Sequence, residues 1–111
     1  EDNNSFEKAN PFNINQLIKG ELDNSKDTSD YFKFEVKEDA SLNISLEKTE
    51  GDGVNWLLFK DSDLENYIAS PTESIDNKLN GKVDLKVGTY YLEVYGYGSS
   101  PVKYNFKVTP N

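Results

Sequence analysis

Two kinds of residue in this chain could do chemistry, and both work through oxygen. The first is the hard oxygen donor. Glu1-Asp-Asn-Asn4 opens the sequence, and Asp23-Asn-Ser-Lys-Asp-Thr-Ser-Asp30 stands directly before an apolar run. Calcium takes about six to eight ligands from carboxylates, amides and backbone carbonyls, so such clusters can hold it without His or Cys. The spacing is not that of an EF-hand, because the regular alternation, the central Gly and the closing Glu are missing. Composition alone favours the plainer reading, an acidic terminus and a solvated turn. The second kind is tyrosine. In Tyr90-Tyr-Leu-Glu-Val-Tyr-Gly-Tyr97, an extended backbone that turns Leu92 and Val94 to a core puts Tyr91, Glu93, Tyr95 and Tyr97 on the other face. Rings with polar tips suit a peptide or a sugar, and Gly96 between two of them would let another backbone come close. Aromatics are also good strand formers that cover a neighbouring strand, and residue type leaves the two readings even.

Other chemistries are excluded by what is missing. The 111 residues contain no His, Cys, Arg or Met. That removes the usual zinc ligands, Ser-His-Asp and Cys-His nucleophiles, and any disulfide framework. Carboxylates are numerous enough for some pair to fall at glycosidase distance by chance, yet nothing marks one pair as acid and base. The reading is therefore a binding module and not an enzyme. Twelve Lys against 20 Asp+Glu give a net charge of −8. Phosphate backbones and anionic membranes need the opposite sign, so neither nucleic acid nor a membrane surface is an expected partner. No apolar run reaches the ~18 residues of a membrane span. Without Met, residue 1 is expected to be internal to a longer product, with any export signal upstream.

The elements that must position these residues follow a period of two. Phe32, Phe34 and Val36 alternate with polar residues, as do Leu42, Ile44 and Leu46, and Val102, Tyr104, Phe106 and Val108. Val54–Phe59 is apolar on both parities, which predicts a strand covered on two sides, with Trp56 as the largest core residue. Turn residues punctuate the runs at Lys37–Asp39, Glu50–Gly53, Asn80-Gly81, Val87-Gly88 and Gly98–Pro101. One short helical turn is predicted over Phe6–Ala9, with Asn4-Ser5 as cap and Pro11 as terminator. Strand starts recur at about ten residues, the rhythm of an antiparallel sandwich. The expectation is one all-β domain over residues 1–111, a two-sheet, jelly-roll-like antiparallel sandwich of about eight strands.

The segments Glu1-Asp-Asn-Asn-Ser-Phe-Glu-Lys-Ala9, Gly20-Glu-Leu22 and Asp27-Thr-Ser-Asp-Tyr-Phe-Lys-Phe-Glu-Val36 resemble the bacterial pre-peptidase C-terminal domains. Val54-Asn-Trp-Leu-Leu58 and Val87-Gly-Thr-Tyr-Tyr-Leu-Glu-Val-Tyr-Gly-Tyr97 are similar, more narrowly, to the collagen-binding domains of clostridial collagenases, which are secreted zinc metalloproteases. The resemblance implies a non-catalytic, extracellular module that attaches its parent enzyme to the collagen triple helix, and an isolated binding module of this kind is most simply a monomer. It implies two Ca²⁺ ions joining residues 1–10 to the Asp23–Phe32 loop, with Glu1, Asn3, Asn4, Glu21, Asp27 and Asp30 and the Phe32 carbonyl as ligands. It also implies a shallow groove in which Tyr95 and Tyr97 carry collagen. Gly96 would give clearance and Tyr91 would stand at the edge. Leu46 and Leu57 would line the groove, and Ser70 would hold the place of a further tyrosine. Two alternatives stay open: a pre-peptidase C-terminal domain that serves folding or secretion alone, and a carbohydrate-binding module using the same tyrosines.

Overall fold

Alternation becomes pairing in the computed structural model, which describes residues 5–23, 29–51, 53–97 and 101–111. Ten strands form: β1 (Asn10–Pro11), β2 (Ile18–Leu22), β3 (Ser29–Val36), β4 (Ala40–Glu50), β5 (Val54–Lys60), β6 (Asp63–Ala69), β7 (Glu73–Ile75), β8 (Lys78–Leu85), β9 (Gly88–Gly96) and β10 (Val102–Pro110). They make two five-stranded sheets, ordered β1-β3-β9-β5-β6 and β2-β10-β4-β8-β7. The sandwich is as expected, with ten strands in place of about eight. One pairing departs from the antiparallel rule, because β1 runs parallel to β3, with Asn10 opposite Phe32. Pro11 is tolerated there because β1 is an edge strand and needs no second row of N–H donors.

The inward parities close into one core. Phe32, Phe34, Val36, Leu42, Ile44, Leu46, Trp56, Leu58, Leu92, Val94, Tyr104 and Phe106 are all buried, as their alternation predicts. Phe12 joins them from the segment after β1, its ring against Phe34 at 5.1 Å and Phe106 at 5.2 Å, so it touches both sheets. Trp56 is fully buried, and its indole N–H donates to the Leu79 carbonyl at 2.9 Å.

That indole explains a correction. Asn80-Gly81 is not a turn but lies inside β8, where Gly81 pairs with Ile44. A side chain at 81 would meet the Trp56 ring at 2.8 Å and the Ser70 carbonyl at 2.9 Å, so glycine serves a close approach. The hairpin turn is instead Asp76-Asn77, whose φ values of 52° and 67° are the paired positive angles of a tight two-residue hairpin. The predicted helical turn exists as a single 3-10 turn over Phe6–Lys8. Ser5 makes no side-chain cap there, and its carbonyl accepts the Lys8 N–H at 3.1 Å.

Candidate functional site

β9 is the middle strand of its sheet, with β3 on one side and β5 on the other. Tyr90, Leu92 and Val94 are buried while Tyr91, Glu93 and Tyr95 alternate outward, as the parity predicts. Just past the strand end, Tyr97 is 70% exposed. The Tyr95 and Tyr97 rings lie 6.3 Å apart and tilted by 52°, within the usual range of aromatic pairs. Each is held from β5 or the turn before it. The Asn55 side chain accepts the Trp56 N–H through Oδ1 at 2.9 Å and donates through Nδ2 to the Tyr95 hydroxyl at 3.0 Å. Because that hydroxyl acts as acceptor towards Asn55, its own proton can be offered outward. Tyr97 donates its N–H to the Gly53 carbonyl at 3.2 Å, and its ring occupies the space a side chain at Gly53 would fill.

The other expected members divide. Leu57, partly exposed, stands opposite Glu93 on the outward face. The register that sets Leu58 against Ala69 carries Ser70 to the level of Leu57, one strand further from β9 than Leu57 is. Leu46 is not on this face. It is fully buried between β8 and β10, and its place in the groove is corrected to a place in the core. Gly96 shares the parity of Leu92 and Val94, so the space its missing side chain leaves lies on the core side of β9, away from the tyrosine face. Tyr91 is covered. The Phe6 ring sits over it at 5.6 Å and over Tyr31 and Phe59 at 4.6 and 5.1 Å, all edge-on. Phe6 therefore supplies the second cover that the two-sided apolar run of β5 requires, and leaves Phe59 buried.

Between the covered and the open end lies Glu93. The Ser29 and Tyr31 hydroxyls both donate to its Oε2 at 3.2 Å. Burial first, then the charge and the hydrogen bond of Glu93, push the Tyr31 hydroxyl from 10.0 up to about 12, so it remains a donor at any ordinary pH. Glu93 was not singled out as a functional residue by sequence; its parity placed it on this face, but its neighbours on β3 and β5 are set by tertiary pairing.

The expected calcium ligands are spread differently. Glu1, Asn3, Asn4 and Asp27 lie outside the described residues. Asp30 is fully buried, and its Oδ2 accepts the Tyr104 hydroxyl at 2.6 Å. Gly20 stands across from Tyr104, where a side chain would collide with that hydroxyl. Glu21 alternates to the exposed side of β2, while Asp30 points into the sandwich, so these two carboxylates are not brought together. Phe32 also changes role. The Lys33 carbonyl accepts the Phe12 N–H at 2.9 Å, so the backbone of Lys33 faces β1 and that of Phe32 faces Leu92 in β9. The carbonyl turned towards the β1 side next to it is that of Tyr31. Among the described residues no group of three acidic side chains converges on one point. The buried Asp30 carboxylate is a hard oxygen donor of the kind calcium takes.

Similarity to known proteins follows the same elements. Residues 28–96, from the start of β3 to the end of β9, match the bacterial pre-peptidase C-terminal domain. The chain is 43% identical to collagenase ColT of Clostridium tetani over 105 residues, and 38% identical to collagenase ColA of Clostridium perfringens over 112. These stretches cover 95% and 100% of this chain but 10% of either relative, so it spans about a tenth of their length. The crystal structure of the pre-peptidase C-terminal domain of collagenase from Bacillus anthracis superposes with a TM-score of 0.82 at 33% identity, covering 90% of this chain and 93% of that one. Sequence and fold agree over the whole sandwich: this chain belongs to the bacterial pre-peptidase C-terminal domain family and is a non-catalytic accessory domain.

Proposed function

We propose that this domain binds the collagen triple helix on the outward face of β9 and β5, and so holds a secreted collagenase on its substrate. The observation that carries the reading is the pair Tyr95 and Tyr97, the first fixed by Asn55 and the second exposed beside it. Collagen is a rod of polyproline-like chains with Gly at every third position, which offers pyrrolidine rings and outward carbonyls. A tyrosine ring packs on proline while its hydroxyl donates to a carbonyl, and two χ angles lose little entropy in doing so. The relatives are named collagenases, which supports the same target. Leu57 and Ser70 extend the surface. Calcium, two ions held between the N-terminal residues, the 23–30 loop and Asp30, would staple the start of the chain to β3 and add folding free energy by linkage. Retention on insoluble collagen, but not on chitin or cellulose, is the expected result of a pull-down. Retention on the polysaccharides would make it a carbohydrate module, and retention on none of the three would leave a domain that serves folding or secretion.

A further inference from the structure

Glu93 is out of keeping with the face it occupies. It stands at the centre of the outward surface, with Tyr31 opposite it on β3 and Leu57 opposite it on β5. Tyr91 and Tyr95 flank it along its own strand. Removing a carboxylate from water among rings and a leucine is unfavourable unless something compensates the charge. Two hydroxyls meet its Oε2, but Oε1 accepts nothing from the described residues. Among the described residues no lysine pairs with it either. The ion pairs among the described residues are Lys86–Asp39 and Lys103–Glu50, both elsewhere, and Lys33, set beside this surface opposite Tyr91, is in neither. The carboxylate is thus fixed by Ser29 and Tyr31 through Oε2, on a residue that is partly exposed on the outward face.

We propose that Glu93 is a specificity-determining residue that selects triple-helical segments presenting an arginine side chain next to the proline-packed stretch. The inference rests on the collagen reading above and adds to it which sequences of the rod are preferred. A guanidinium fits for three reasons. It neutralises the charge that the hydroxyls leave in place. Its planar fork can reach Oε1 while its face lies on the neighbouring Tyr95 ring. The net charge of −8 draws a cation in from a distance. A hydroxyl on the ligand could also donate to Oε1, but a neutral donor makes one bond where the guanidinium fork can make two, and it leaves the charge standing.

The test is a titration with host triple-helical peptides of Gly-Pro-Pro repeats carrying one guest residue, Arg, Gln or hydroxyproline. The unmodified domain should bind the Arg guest roughly five- to thirtyfold tighter than the Gln guest at low salt, with the ratio shrinking as salt is added. In Glu93→Gln, which keeps an acceptor for Tyr31 and Ser29, that ratio should fall to about one. Glu35→Gln, exposed on the same sheet but towards its far end, should keep it. Equal binding of the Arg and Gln guests by the unmodified domain overturns the inference and leaves the collagen reading standing. So does a preference that survives Glu93→Gln, one that Glu35→Gln abolishes equally, or one for hydroxyproline over Arg. If the unmodified domain binds no triple-helical peptide, the collagen reading falls and this inference falls with it. The guest comparison needs no variant, so equal binding of the Arg and Gln guests overturns the inference even if Glu93→Gln fails to fold, and Glu93→Ala then supplies the second variant in which the ratio should fall to about one.

Discussion

A tyrosine that accepts from Asn55 can still donate, and this separates the two central rings. Tyr97 makes its contacts mainly through its ring and is largely solvent-exposed, whereas Tyr95 is tied into the face. Truncating an aromatic anchor at the centre of an interface costs about 2 kcal/mol or more, roughly thirtyfold in affinity. Tyr95→Ala and Tyr97→Ala should each weaken collagen binding by that factor in a solid-phase assay. Tyr97→Ala should leave the melting temperature almost unchanged, while Tyr95→Ala should lower it slightly through the lost Asn55 bond. Two variants that bind like the parent would place collagen on another face. Tyr31 gives a second expectation. Its hydroxyl ionises near 10 in the unfolded chain and at about 12 in the folded one. The folded state therefore holds the proton longer, so this contribution to stability is whole below pH 10 and is lost as pH rises towards 12. Urea midpoints of Tyr31→Phe should lack the part of the alkaline decline that the parent shows in that window.

At the scale of elements, the 3-10 turn does more than its three residues suggest. Phe6 is the one ring that Tyr31, Phe59 and Tyr91 share. Phe6→Ala would uncover all three and should cost about 1–3 kcal/mol, less than a full core truncation because Phe6 is only partly buried. For a domain of this size that lowers the melting temperature by about 4–8 °C per kcal/mol. Collagen affinity should stay within about twofold, since Tyr95 and Tyr97 lie towards the other end of β9. The long strands were legible because one face of each is buried: a slip by one residue in β3, β4, β9 or β10 would expose a whole row. β1, β6 and β7 were not, because edge strands bury little. Glu73–Ile75 is exposed at every position, and two residues of β1 cannot show a period. Asn80-Gly81 misled because glycine reads as a turn from its neighbours, whereas the ring that demands it comes from Trp56, far away in sequence. The outward face of β9 was legible for the same reason as the strands. Parity placed Tyr95 and Tyr97 outward, but only the packing of Phe6 shows Tyr91 partly covered, and only the pairing of β4 between β8 and β10 could remove Leu46.

For the molecule as a whole, calcium is the part of the proposal with the largest consequence for stability, since it would tie the start of the chain to β3. A ligand held at about a hundred times its dissociation constant adds roughly 2.7 kcal/mol. EGTA should therefore lower the melting temperature by about 10 °C or more, and re-addition of Ca²⁺ should restore it. An unchanged transition would remove the metal from the proposal. The sheet edges carry a different consequence. β1 is two residues long and ends in proline, and β7 is three residues long. β6 is irregular in register against β5 and carries Asp63 and Glu65, while β2 shows Lys19 and Glu21 to solvent. Short, kinked or charged margins are poor templates for recruiting another strand. On the collagen rod proposed above as the target, docking positions repeat, so neighbouring copies would sit shoulder to shoulder at high local density. Margins built this way let them crowd without stitching into a continuous ribbon, and occupancy of the fibre would then rise as a sum of independent sites.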